Sequence, residues 1–490
     1  MLRNTLPTLL GLASASSAVL YETKIETNYG SVQGYPAFNS SNTGNLTHWK
    51  EITVWKGIPF AATTGGTNRW KAPQPASPWN GTLDARNWGP VCPSATTGDN
   101  SYTINEDCLN LNIWSPATST DAKLPVVMWS YPAESTAADP LFDGGGMADK
   151  GIVFVNYNYR TGPFGWLAHS ELSEEFEKVT GSNSSGNWGM LDQFAALKWI
   201  HANIEAFGGD PNQITVQGQS AGSAATQHIF YSNLTKGLIV GAIIDSGVRD
   251  PHDPLCTSLA EAYTTLDDAL DDGNTYLSNL GVSSIAEARN LSMEALIDGA
   301  TGSTREDTIM FEAVLDYYAM PDTYLNILKK GLAHNDENGA TYGLDISLAE
   351  YFEDLNETYS GEWVERFFDL YLANDSTTAS GAYNSMFTDR SKSSGAYHGS
   401  EINYVSNNLY ATDKPWTAED YAIAKNMNHY WASFIKTRNP NTQAEGATEW
   451  PAVNTSKLVQ HVGDGWGQIP IAWSKKVKLF EDWFATLVAY

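Results

Sequence analysis

The sequence predicts an α/β fold, a mostly parallel sheet with helices on both faces, and three observations carry that prediction. Between residues 111 and 244, β-rich apolar runs alternate with segments whose apolar residues recur at helical spacing. One junction of this kind, Ile214 to Ala225, passes from a short apolar strand through Gly218-Gln219-Ser220-Ala221-Gly222 into a run of small residues that opens a helix. Across all 490 residues there is no internal repeat, low-complexity linker or second composition regime. One large domain over residues 19–490 is therefore expected.

Taken in order, residues 20 to 75 read as short β-hairpins closed by Val54 to Phe60. Leu111 to Trp114, Val126 to Trp129 and Ile152 to Tyr159 are β-rich runs. From Gly189 to Ala206 the residues Met190, Leu191, Phe194, Leu197, Ile200 and Ile204 recur at helical spacing and predict a helix. Ile214 to Val216 is the next strand, Ala221 starts the next helix, and Leu238 to Ile244 is a further strand. That order is the mark of strands joined by crossover helices. Residues 255 to 375 are mainly helical in pattern, and Trp416 to Ile435 and Trp473 to Val488 read as closing helices.

A formal charge of -27 argues against nucleic acid or an anionic membrane as partner. The start of the chain has the form of an export signal over residues 1–18: Arg3, the apolar stretch Leu6 to Ala13, then Ser16-Ser17-Ala18. It is too short to span a membrane, and no later run is long enough to do so. Nine Asn-x-Ser/Thr sequons, at Asn39, Asn45, Asn80, Asn183, Asn233, Asn290, Asn356, Asn374 and Asn454, fit an N-glycosylated, secreted, extracellular product. In an oxidising compartment, Cys92 and Cys108 can close a disulfide loop, which leaves Cys256 over.

Set between a strand and a helix, Gly218 to Gly222 reads as a nucleophile elbow. The two glycines permit the tight turn, Ser220 is lifted above the sheet, and the N–H of Ala221 can face a developing oxyanion. The competing reading of the same residues is a structural turn with a buried serine.

Glu106 to Trp114, Gly57-Ile58-Pro59-Phe60, Asn156 to Gly165, Gly186 to Gln193 and Phe207 to Pro211 surround that elbow. Together they resemble the type-B carboxylesterase/cholinesterase family over nearly the whole mature chain, most closely its secreted fungal members. The resemblance implies an α/β-hydrolase fold and a Ser-Glu-His triad at the base of an aromatic-lined gorge. It implies hydrolysis of small-molecule carboxylic esters through an acyl-enzyme, with no metal and no cofactor. It places the nucleophile at Ser220, the acid at Glu337 in Asp336-Glu337-Asn338-Gly339, with Asp336 as rival, and the base at His398 in Tyr397-His398-Gly399-Ser400-Glu401. It matches Cys92 and Cys108 to the family's first disulfide loop. Gln219 stands where the family usually has Glu, and Glu106 with Arg160 is expected to be a structural ion pair.

Three segments depart from the family text. After Trp129 the family has a Gly-Gly-Gly-Phe loop that supplies oxyanion donors. Here Ser130-Tyr131-Pro132-Ala133-Glu134 follows, which leaves Ala133 and Ala221 as the expected donors, Pro132 having no N–H to give. A strand before Glu337 is not evident in Leu328 to Ala333, nor one before His398 in Asp389 to Tyr397. Two central strands of the sheet are accordingly expected to be missing or replaced, and the oxyanion, pre-Glu and pre-His segments to be shortened. Alternatives to a working esterase are a catalytically impaired binding or adhesion protein, and an esterase-like enzyme of a fungal secondary-metabolite pathway. Trp129, Phe164, Trp166 and Trp188 are candidates for an aromatic pocket, although in so aromatic a chain such residues are more often core. The oligomeric state is not readable from the sequence.

Overall fold

The structure, a computed structural model, describes residues 19–488 apart from 41–42, 95–101, 249, 251, 253–259, 261, 301–307, 330–354, 356–358, 372–397, 443–446, 453–457, 464 and 471. The leader, Cys256, Asp336, Glu337, the sequons at Asn356, Asn374 and Asn454, and the segment Asp389 to Tyr397 lie outside the described residues.

Among the described residues, a seven-stranded sheet forms the centre of the molecule. Its strands are β1 (Tyr35–Pro36), β2 (Thr53–Pro59), β3 (Asn110–Ser115), β4 (Leu124–Ser130), β5 (Val153–Tyr157), β6 (Gly209–Gln219) and β7 (Gly241–Asp245). Their spatial order is β7-β6-β4-β5-β3-β2-β1. The ladders among β7, β6, β4 and β5 are parallel, and those from β5 through β3 and β2 to β1 are antiparallel. The sheet is therefore mixed, parallel over the half that carries Ser220, as an α/β-hydrolase fold requires.

Burial explains why these segments read as unbroken apolar runs. Every residue of β3 and β5 is buried, because helices cover both faces of the sheet. The polar side chains inside are paired: Asn112 Nδ2 donates to Asn156 Oδ1 at 2.8 Å, and Asn156 Nδ2 donates to the Phe142 carbonyl at 3.1 Å. Helix α1 (Trp188–Asn203) is apolar around most of its circumference and lies buried in the core, with a 3₁₀ turn (Ile204–Phe207) leading into β6. Helix α2 (Ala221–Tyr231) follows β6 directly. Near the C-terminus, α3 (Ile402–Ser406) packs on α4 (Ala418–Thr437), which opens with a capping box between Thr417 and Asp420. The last helix is α5 (Ser474–Phe484).

Two short strands, Tyr263–Thr265 and Ala313–Leu315, pair in parallel within a region that reads as helical. Three residues are too few to show alternation in the sequence. The predicted disulfide is present, Cys92 to Cys108 with Cα atoms 5.0 Å apart.

The expected ion pair between Glu106 and Arg160 is not formed. Arg160 is gripped instead by Asp192 of α1, through Nε and Nη2 at 2.7 Å each and through its backbone N–H at 3.1 Å. Glu106 pairs with Arg69, Nε to Oε2 at 2.7 Å. Each carboxylate takes the guanidinium that packing brings to it, and spacing along the chain does not reveal that choice. Trp129, Trp188 and Phe164 are core residues, and Trp166 packs against the core from a half-buried position.

Strand β7 is the edge of the sheet, and each of its residues is half-buried. Among the described residues no strand pairs with its outer side. Leu328 and Lys329 end a helix, Tyr324–Lys329, so the pre-Glu segment does not begin as a strand.

Candidate active site

At the end of β6 the backbone turns sharply. Ser220 has φ 56° and ψ -123°, a conformation that non-glycine residues rarely adopt. Two contacts hold it there. Its N–H donates to the carbonyl of Asp245 at the end of β7, at 3.0 Å, and its own carbonyl accepts from the N–H of Ser223 at 2.8 Å and of Ala224 at 3.2 Å in the first turn of α2.

The flanking glycines are required by space. A Cβ on Gly222 would lie 2.0 Å from the carbonyl oxygen of Ser130, and one on Gly218 would lie 2.1 Å from that of Gly222. This close approach sets the start of α2 against the end of β4.

The register of β4 on β6 ends with Ser130 opposite Gly218, so the chain after Tyr131 leaves the sheet at the same end where β6 gives way to Ser220. The residues after Tyr131 are Pro132, Ala133 and Glu134. Glu134 takes the left-handed conformation, φ 60°, that a loop with glycines would have adopted freely. Among the described residues the N–H of Ala221 meets no acceptor, at a helix start where the peptide dipoles favour negative charge. The two expected oxyanion donors, Ala133 and Ala221, therefore belong to the two segments that Gly222 brings together.

His398 is the second predicted residue that the structure brings to this place. Its ring lies beside the side chain of Gln219, whose Nε2 is 3.3 Å from the histidine Nε2 and 3.5 Å from Nδ1. Gln219 immediately precedes Ser220, so residues 179 positions apart in the chain meet at the elbow. Glu337 is outside the described residues.

Acidic residues that the sequence does not single out sit behind the elbow. Asp245 accepts from Gln217 Nε2 at 2.9 Å, and burial pushes its carboxyl up to about 6. Glu401, at the start of α3, is pushed up to about 7 by burial and then by the nearby Asp245. One signal was available in the sequence: Asp245 ends a strand on the side of the parallel sheet where βα turns place functional groups. Glu401 stands inside the matched Tyr397 to Glu401 segment, three residues after the histidine.

The place thus gathers a serine on a strained turn, the N–H of Ala221 at a helix start, and an imidazole against the side chain of the preceding Gln219.

A model of the carboxylesterase family matches residues 21–339 and 346–463. Among curated proteins, the chain is 41% identical over 217 residues to a fumonisin B1 esterase of Sphingopyxis macrogoltabida, a match covering 43% of this chain and 39% of that one. It is 29% identical to the para-nitrobenzyl esterase of Bacillus subtilis (strain 168) over 87% of this chain and 92% of the relative. It is also 29% identical to the bile salt-activated lipase of Bos taurus, over 80% and 76% respectively. Among solved structures, a PNB esterase superposes with a TM-score of 0.67 at 26% identity, covering 87% of this chain and 93% of the other. With the elbow, the sheet and the family match in agreement over most of its length, the chain belongs to the carboxylesterase family, the hydrolases of carboxylic esters.

Proposed function

We propose that this carboxylesterase is an exported serine hydrolase that works through an acyl-enzyme on Ser220. The observation that carries the reading is the strained backbone of Ser220, held by Asp245 on one side and by the first turn of α2 on the other. Such strain persists only where the surroundings over-determine it, and it lifts the hydroxyl clear of the sheet.

In this reading, His398 takes the proton of Ser220 as the hydroxyl oxygen attacks the ester carbonyl. The tetrahedral oxyanion is held by the N–H groups of Ala221 and Ala133. Collapse expels the alcohol, which leaves with the proton from His398. Water, deprotonated by the same histidine, then attacks the acyl carbonyl; the acid product leaves as the bond to Ser220 Oγ breaks, and the histidine returns the proton to that oxygen. Glu337 is the residue assigned to orient and charge-stabilise the imidazole. The substrates are carboxylic esters, the class to which the names of the esterase relatives point.

Export rests on the form of the leader and on the sequons. Asn39, Asn80, Asn183, Asn233 and Asn290 are exposed and accessible to a glycosyltransferase. Asn45 is half-buried, and its Nδ2 donates to the Tyr421 carbonyl at 3.4 Å, so it is expected to stay unmodified. No described helix is long and apolar enough to cross a membrane.

The deciding experiment is labelling of the purified protein with a fluorophosphonate, read by intact mass, with Ser220→Ala alongside. A stoichiometric adduct absent from the alanine variant is the expected result. A folded protein without an adduct would sink the acyl-enzyme reading and leave a binding role.

A further inference from the structure

Where relatives of this chain are expected to carry glycines after β4, Tyr131 stands buried. Its ring stacks on that of Tyr159, with centroids 4.7 Å apart and planes inclined by 19°. The hydroxyl of Tyr159 donates to the main-chain carbonyl of Tyr131 at 3.1 Å, and the N–H of Tyr159 donates to the hydroxyl of Tyr131 at 3.3 Å. The two residues thus hold each other at both ends. Burial keeps both phenols neutral, so the Tyr159 hydroxyl retains its proton for this bond.

We infer that the Tyr159 hydroxyl is a positioning residue for the oxyanion loop, a role that rests on the esterase reading above. The Tyr131 carbonyl lies just beyond β4, where no sheet ladder holds it, and it is followed by Pro132, which has no N–H of its own. Its peptide plane leads into Ala133 and into Glu134 with φ 60°. On its other side the carbonyl faces the start of α2, since a Cβ on Gly222 would come within 2.8 Å of it. The φ of Pro132 is locked by its ring. With this plane held, the ψ of Pro132 is the one backbone torsion left between the anchored carbonyl and the Ala133 N–H, so the bond narrows the directions in which that N–H can leave β4. A loop without glycines has few backbone states, and one buried hydrogen bond at its root suffices to select among them. Oxyanion donors are effective only when aimed at the atom that becomes charged, and an ångström of error is costly in rate.

The test is Tyr159→Phe, which keeps the ring stack and removes the hydroxyl. Tyr157→Phe serves as the control, since it deletes a neighbouring buried phenol bonded to Ser130 Oγ at 2.7 Å and leaves the loop's anchor in place. Expected for Tyr159→Phe are a kcat lower by roughly tenfold to a hundredfold with KM within about twofold, and a similar loss of affinity for a boronic acid inhibitor. Tyr157→Phe is expected to change unfolding more than the kcat-to-KM split. Equal kinetic losses in both variants, or a Tyr159→Phe loss confined to KM, would overturn the inference. Amide hydrogen exchange over residues 133–138 supplies a readout that needs no turnover. Faster exchange in Tyr159→Phe is expected, and unchanged exchange overturns the clasp. A wild type that neither turns over esters nor labels at Ser220 fails the esterase reading, and the exchange result still decides whether Tyr159 holds the loop.

Discussion

Gln219 and His398 meet at 3.3 Å, joining the residue before Ser220, the proposed nucleophile, to a turn 179 positions later in the chain. The contact is between a neutral amide and an imidazole. A glutamate at 219 would instead place a carboxylate against the ring and favour its protonated form. Because the proposed base works as the neutral imidazole, Gln219→Glu is expected to move the acid limb of the kcat/KM profile to higher pH. A rate profile measured from pH 5 to 9 on both proteins checks this, and an unmoved acid limb counts against His398 as the base.

Asp245 and Glu401 give stability a dependence on pH. Their carboxyls are held near 6 and near 7, against ordinary values of 3.8 and 4.5. The folded chain therefore retains protons that the unfolded chain has released, and stability falls as pH rises from about 4 to about 7. Glu401→Gln is expected to raise the melting temperature at pH 8 more than at pH 5.

His228 acts with the opposite sign. It is buried on α2, its two ring nitrogens meet no hydrogen-bond partner among the described residues, and burial drives it down from 6.5 to about 4. Unfolding below pH 6.5 lets it gain a proton, so this contribution to stability is lost as pH falls toward 4. His228→Leu is expected to flatten the acid side of a melting-temperature profile.

The buried pair Arg160–Asp192 and the exposed pair Lys123–Glu205 predict contrasting outcomes. Asp192→Asn leaves a guanidinium in the core without its countercharge and is expected to cost about 3–5 kcal/mol in urea unfolding. Glu205→Gln removes a partner in contact with solvent and is expected to leave the unfolding midpoint where it was.

The Cys92–Cys108 bridge closes a short loop, with a sequence separation of 16. Opening it with Cys92→Ala and Cys108→Ala together is expected to lower stability by about 3 kcal/mol. Comparison of urea midpoints with and without reductant provides the check.

Much of the fold was legible because burial on two faces leaves an unmistakable trace. β4 and β5 are near-continuous apolar runs, and α1 shows its period in Met190, Phe194, Leu197 and Ile200. The elbow was legible because glycine is the only residue that fits where Gly218 and Gly222 stand. Partner choice was not. Arg160 had several carboxylates within matched segments, among them Glu106, Asp107, Asp192 and Asp210, and only packing decides for Asp192. The acidic pair behind the elbow was equally hidden, since Asp245 and Glu401 become neighbours only when α3 folds back toward β7. The left-handed residue of the loop after β4 fell on Glu134, a site that composition does not mark.

The backbone of Ser220 has a consequence for how this enzyme trades endurance against activity. A serine at φ 56° and ψ -123° costs the fold about 1–3 kcal/mol relative to a residue at ease there. Glycine alone is at ease in that region. Ser220→Gly and Ser220→Ala should therefore part company: both are expected to lose turnover, but the glycine variant is expected to melt higher than the wild type and the alanine variant is not. On this expectation, the backbone alone would favour a glycine at position 220, and the serine is kept there at a cost in stability.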